Sequence, residues 1–419
     1  MPAESEGQRG PFARARRLAH AVTALATDRD LLTFLAVRVG IWLGVALTLV
    51  WAPLQDAETI PPFRAYDGLT DLLFGAFAQW DAVWFIHIAD FGYDSRQITA
   101  FFPVYPAVIA AVSLVTGSTI VAGVLVSLVA SAVAVLVLKR IASSVLSLQG
   151  ERDTILLLAL FPIGYVFTAI YSDSLFLALA SGSFLAAQRR RGILAGVLGA
   201  LAVGTRIMGL ALVPALVALL WPRRWTTREV ARLAPVLLLP LALGAWALYL
   251  RDRFGDATVF VDAQASESWN RDVGTLGPLS GVWESASQAW HGSLELLLHL
   301  PRTQNAPAGY HQLDVWAAWN VVHFALLVAA LALTWVAWRR LGPAFGLYSA
   351  AVLAIAASAP AAFVPLVSFP RFLLSDFPLF LVLASLFEGR PRLRAAVLIA
   401  FAATSAVAAV AFSRSVWVA

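Results

Sequence analysis

The chain has 419 residues, 60% of them hydrophobic and only 13% charged, and it contains no cysteine. That balance excludes a soluble domain, and the missing thiols exclude disulfides, thiolate metal sites and cysteine nucleophiles. The net charge of +5 is almost entirely arginine, with Lys139 the sole lysine; these arginines cluster at the ends of apolar runs, as orientation signals do, which argues against a nucleic-acid partner.

In chain order, residues 1–30 are polar and Arg-bearing, with no small-residue cleavage site, and read as a cytoplasmic tail without a signal peptide. Residues 31–419 read as one transmembrane domain. Apolar segments suited to spanning cover 31–52, 154–171, 173–187, 232–250, 313–338, 342–366, 371–387 and 394–412. Residues 101–138 hold one or two crossings, broken at Gly117-Ser118-Thr119. Residues 192–221 read as two short helices turning near Gly204-Thr205-Arg206. The alternating pattern of a membrane barrel is absent, so the fold class is all-α, a polytopic transmembrane helix bundle of roughly 11–12 spans. Two long loops interrupt it, 53–100 and 251–312. Within the second, GPLSGVWESASQAWHGSLELLLHLPR reads as an amphipathic helix on the membrane surface.

Arginine placement orients the chain. Lys139-Arg140, Arg189-Arg190-Arg191, Arg223-Arg224-Arg228-Arg232, Arg339-Arg340 and Arg390-Arg392-Arg394 mark inner ends. Loop 53–100 carries seven acids against Arg64 and Arg96, so it belongs outside. With one net crossing in 101–138, Asp81, the turn Tyr171-Ser172-Asp173-Ser174, the turn at Arg206 and the segment beginning at Arg371 converge on the outer face. Near absence of Lys beside heavy Ala, Arg, Val and Leu use suggests a GC-rich bacterial genome, which for a multi-span chain gives a bacterial plasma membrane as the expected location.

Asp81 is the first chemical candidate. It lies in QWDAVWFIHIADFGYDSRQITAFFPVYP, among Trp80, Trp84, Phe85, Tyr93, Phe101, Phe102 and Tyr105. Such aromatics suit the lipid–water boundary, and an acid there can take a proton from an acceptor hydroxyl. A helix cap or a surface acid accounts for the same position. Asp173, between two apolar helices, is costly unless it works or caps a helix. Arg206 and Arg371 offer planar donor forks that match phosphate oxygens, or they snorkel. Arg38 lies inside the first span, where an acid or a lipid phosphate would partner it. His87 could bind a metal with Asp81 or Asp90, but no second spaced histidine supports that, and it reads as interfacial. No residue pattern calls for a cofactor, and a divalent metal stays open. No phosphate-binding loop, dinucleotide fingerprint or nucleophile elbow is present.

WDAVWFIHIADFGY followed by AFFPVYP resembles the first-loop signature of the PIG-V-type mannosyltransferases, which add the second mannose in GPI-anchor synthesis. FPIGYVFTAIYSDSLFLAL, GTRIMGL and SFPRFLLSDFPLF resemble later segments of that family, in the same order. The chain departs from the pattern at Arg96-Gln97, where the eukaryotic proteins carry Glu-His. The resemblance implies a GT-C glycosyltransferase fold and a polyprenyl-phosphate sugar donor, used on the extracytoplasmic face with inversion. It implies Asp81 as the catalytic residue, with Arg371, Arg206, Asp173, Arg38, Trp80 and Tyr93 toward substrate. The acceptor would be a glycolipid, a glycan or a protein. Two other classes compete: a glycolipid transporter or flippase, and a non-catalytic subunit of a glycosyltransferase complex. Long aromatic loops on one face, without an internal repeat, favour the enzyme.

Overall fold

In the computed structural model the chain is described over residues 27–51, 73–265, 270–271, 273–298, 313–414 and 418. Most of the N-terminal tail and the loop acids Asp56, Glu58, Asp67 and Asp71 lie outside these residues. The described residues are helical, with no strand and a single isolated bridge between Arg271 and Ala361.

The principal helices are α1 (Arg29–Trp51), α2 (Asp81–Phe91), α3 (Val104–Thr116), α4 (Thr119–Ala142), α5 (Leu148–Leu160), α6 (Asp173–Gln188), α7 (Gly192–Thr205), α8 (Leu212–Leu220), α9 (Leu238–Phe254), α10 (Pro278–Leu298), α11 (Leu313–Arg340), α12 (Pro343–Ala357), α13 (Phe369–Ser375), α14 (Phe377–Leu386) and α15 (Pro391–Ser413). Among the described residues, five helices are long and apolar enough to cross a membrane. They are α1, α4, α11 from Trp316, α15, and the run Ala231–Phe254 that contains α9. The pair α13–α14 makes a sixth if its 82° bend is counted as one span. Shorter apolar helices, such as α3, α7 and α12, make up the rest of the bundle. The segment 371–387 is therefore a broken pair. Pro378 lies in the first turn of α14, after Asp376 has left helical geometry. Proline has no N–H to continue the α13 ladder.

Local chemistry explains the break at 117–119. Gly117 takes a left-handed conformation, φ 71°, and closes α3 on the Ser113 carbonyl. Ser118 Oγ then accepts from the Val121 amide and starts α4.

One end of the bundle is tied by ions. Lys139, in the last turn of α4, meets Asp28 at 2.8 Å and Asp30 at 2.7 Å, with Glu151 of α5 at 3.8 Å. Arg394 of α15 binds Asp153 of α5 at 2.7 Å, and Ser147 donates to Glu388 at 2.7 Å. The start of α1 and the end of α4 thus share one face.

Helix α10 differs from the surface helix expected for the second loop. Its buried residues are Gly281, Ser285, Ala289 and Gly292, and it packs through them onto α11 and α12. Trp283 and Trp290 face outward, 76% and 65% exposed. Small side chains let helix backbones approach closely, and this contact wins over a position flat on the membrane.

Candidate active site

Four of the sequence-marked residues meet at the opposite end of the bundle from Lys139. Asp81 opens α2. The preceding Trp80 sits at φ 57°, a positive angle rare outside glycine, which turns the chain sharply into the helix. Asp173 opens α6, and Arg206 follows the last residue of α7 in extended conformation. Arg371 lies in the first turn of α13, after Ser368 at φ 63°. Each functional side chain thus stands where a helix begins or ends.

Arg371 is the hub. Its Nη1 donates to Asp81 Oδ2 at 2.6 Å and its Nη2 to Asp173 Oδ2 at 3.3 Å. Arg206 Nη1 donates to the other oxygen, Asp173 Oδ1. The Arg371 guanidinium lies 4.5 Å from the centre of the Tyr171 ring. Asp173 has a side chain only 1% exposed, and it is bound on both oxygens by arginines. Asp81 is the open member, with a side chain 23% exposed. Burying one of these charges alone would cost several kcal/mol, so the pairing is what allows them at this depth.

A fifth residue joins them that sequence reasoning missed. Arg271 donates through Nη2 to the Val367 carbonyl at 2.6 Å. Its guanidinium lies 5.5 Å from the centre of the Phe372 ring, and that of Arg206 lies 5.9 Å from the same ring. The backbone is pinned as well: the Arg271 amide donates to Gln264, and the Ala362 amide to the Asn270 carbonyl, at 3.0 and 3.2 Å. Burial, then the like charges of Arg371 and Arg206, pull the Arg271 guanidinium down to about 10, with Asp81 opposing. It is still a cation at neutral pH. Three guanidiniums against two carboxylates leave the cluster with one surplus positive charge. The available signal was that Arg271 is the lone arginine between Arg253 and Arg302, within the second long loop.

The other marked residues lie outside the cluster. Arg38 is buried, and both its terminal nitrogens donate to backbone carbonyls, Gly164 and Ala159. Phe34 and Phe167 flank it, 5.1 and 5.7 Å from ring centre to guanidinium carbon. It holds the turn that leads from α5 toward Tyr171. The acid or lipid phosphate expected beside it is replaced by two backbone carbonyls, one in the last turn of α5 and one at the start of the turn Gly164–Phe167. The Tyr93 hydroxyl donates to the Phe101 carbonyl at 2.7 Å, and its ring packs on Trp246 and Tyr249. His87 pairs with Asp94 at 2.8 Å. Arg96 donates to the Phe254 carbonyl at 2.8 Å and so ties the first loop to the end of α9.

Residues 33–228 match the family model described as Mannosyltransferase (PIG-V). That segment is PIG-V-like. GPI alpha-1,6-mannosyltransferase 2 of Rattus norvegicus is 30% identical over 181 residues, which cover 39% of this chain and 37% of that protein. The Mus musculus protein of the same name is 30% identical over 162 residues, covering 36% and 33%. The chain thus spans little more than a third of the length of these curated relatives. An apo crystal structure of the Archaeoglobus fulgidus oligosaccharyltransferase aligns over 91% of this chain and 56% of its own, with a TM-score of 0.44 at 14% identity. Asp81, Asp173 and Arg206 fall inside the PIG-V-like segment. Arg271 and Arg371, which complete the cluster, fall beyond it.

Proposed function

We propose that this chain is a membrane glycosyltransferase of the GT-C type, transferring mannose from a polyprenyl-phosphate donor to an extracytoplasmic acceptor with inversion. The observation that carries the reading is the Arg371 fork, shared between an open carboxylate, Asp81, and a buried one, Asp173. An arginine fork suits two phosphate oxygens as well as two carboxylates. A donor phosphate arriving at Arg371 competes with Asp81 for that arm and leaves the carboxylate to the acceptor. Asp81 takes the proton of the acceptor hydroxyl as its oxygen attacks the anomeric carbon. The bond from that carbon to the phosphate oxygen breaks, and the lipid phosphate departs with the electron pair. It needs no proton from the protein, because the donor diester leaves as a stable phosphate monoester dianion. Asp173 and Arg206 hold Arg371 in place. The single surplus positive charge of the five-residue cluster, supplied by Arg271, suits a singly charged phosphodiester.

A bacterial membrane offers a glycolipid, a glycan or a protein as acceptor, and the cluster's residues favour none of them. A flippase would move the lipid without forming a new bond. The test is mannose transfer in membranes expressing the chain, with radiolabelled polyprenyl-phosphate mannose as donor. We expect a labelled product, and we expect Asp81→Asn to lower its rate by about two orders of magnitude or more, the cost of losing a general base. Donor translocation with no transferred label, or normal transfer by folded Asp81→Asn, overturns the reading.

A further inference from the structure

At the opposite end from the Asp81 cluster, the chain forms a charged cavity. It has a volume of about 370 Å³ and is lined by Arg190, Arg223, Arg224, Thr226, Glu229 and Arg232. Helix α6 fixes its place. It starts at Asp173 in the candidate active site and runs 16 residues to Gln188. At 1.5 Å per residue that is about 24 Å, so Arg190 lies nearly a hydrocarbon thickness away.

Four guanidiniums face this space against one carboxylate, and Glu229 is already taken by Arg232. Arginines at the end of a membrane helix usually reach separately into water. Here they are drawn from two stretches of chain, Arg190 and the segment 223–232, onto one concave site, and the backbone is shaped to do it. Arg190 is held at φ 57°, a conformation rare outside glycine, and its Nη1 donates to the Trp221 carbonyl at 3.1 Å. The Thr226 hydroxyl starts the short turn Thr227–Val230 by accepting from the Glu229 amide at 3.3 Å. Trp221 and Trp225 flank Arg223 and Arg224, pack edge to face at 5.7 Å, and are 51% and 74% exposed. Tryptophans so placed mark the headgroup level of a bilayer.

We propose that this cavity binds the phosphate headgroup of an anionic phospholipid. Planar guanidinium forks supply paired donors to phosphate oxygens. The surplus positive charge demands an anion, and the tryptophans set the cavity at the depth of lipid phosphates. Basic pockets between helices at the cytoplasmic face are suited to such headgroups. The site is separate from the donor cluster and stands whether or not the chain transfers mannose.

The experiment uses the purified full chain in nanodiscs of phosphatidylcholine, with phosphatidylglycerol added in steps, and reads the thermal midpoint against phosphatidylglycerol content. Wild type should be stabilised in a saturable way. Arg223→Ala/Arg224→Ala should need about tenfold more phosphatidylglycerol or more for the same shift, since each basic residue near an anionic surface strengthens binding severalfold. Both side chains are exposed, so the variant keeps its fold in phosphatidylcholine. Arg390→Ala/Arg392→Ala removes the same charge from the same face without touching the cavity, and it should behave as wild type. Equal losses in the two double variants would mean general surface attraction and would overturn the proposal. So would an equal stabilisation by millimolar inorganic phosphate in pure phosphatidylcholine, which would make this a site for the free ion.

Discussion

Arg371 can lose its charge or only its shape, and the two losses separate its roles. A lysine keeps the charge but has one nitrogen, which cannot span Asp81 and Asp173 as the guanidinium does. Arg371→Lys should therefore fold, and should raise the apparent KM for the lipid-linked donor about tenfold, with acceptor dependence little changed. Arg371→Ala strands two carboxylates, and removing one partner of a buried pair costs about 3–5 kcal/mol. It should lower the thermal midpoint as well as activity. Unchanged donor titrations for the purified lysine variant would remove Arg371 from phosphate binding. Arg271→Lys tests the surplus charge in the same way, and Arg271→Ala should weaken donor binding more than it lowers the thermal midpoint. If Arg271→Ala leaves the donor KM unaltered, the argument from net charge fails. At this scale the sequence was legible where a charge interrupts apolar surroundings. Asp81, Asp173, Arg206 and Arg371 were each visible as charges at the edge of an apolar run. Arg271 was not, because its surroundings in the chain are polar and only the fold carries it to Phe372. Arg38 stood out for the right reason, burial, but its partners are backbone carbonyls, and no sequence pattern marks those.

Helices that can approach closely need residues without side chains at the contact, and α10 shows how narrow the tolerance is. A methyl group added at Gly281 would lie 2.0 Å from the Ala357 carbonyl oxygen, a backbone atom that cannot rotate away. Gly244, within α9, has nothing within 4 Å of the same position. Gly281→Ala should therefore destabilise by about 1–3 kcal/mol, as overpacking does. Gly244→Ala should be neutral or stabilise by up to about 1 kcal/mol, because alanine is the better helix former. Thermal midpoints of the two variants in the same detergent check this; a Gly281→Ala midpoint at or above wild type would mean that α10 is not docked on α12. The helix at 278–298 was legible from its periodicity, and its docking face was not. The pattern read as a helix lying on the membrane surface, while Gly281, Ser285, Ala289 and Gly292 look featureless in the sequence and form the contact. The segments 342–366 and 371–387 illustrate the same limit. Their apolar content was plain, but α12 stops at Ala357 and the later segment breaks at Asp376, because local caps and Pro378 set helix ends inside continuous apolar stretches.

For the whole molecule, ion pairs and arginine counts divide the two ends of the bundle in the same way. The Lys139–Asp28–Asp30 cluster and the Arg394–Asp153 pair gather at one end, where the sequence placed inner ends. Asp81, Asp173, Arg206 and Arg371 gather at the other. If positively charged ends stay inside, the site opens to the outside, where a polyprenyl-phosphate sugar and its acceptor would meet. The cysteine-free chain permits a direct check. Ser95, exposed in the loop after α2, and Arg392, exposed at the start of α15, lie at the two ends. In intact cells, Ser95→Cys should react with a membrane-impermeant maleimide within minutes. Arg392→Cys should react only after the membrane is opened. The opposite labelling would put Asp81 in the cytoplasm. The donor would then meet Arg371 from the inner leaflet, and the anionic-lipid cavity would face the outer one. Labelling of both positions in intact cells would mean that the chain does not hold a single orientation, and the arginine count would lose its authority over the topology.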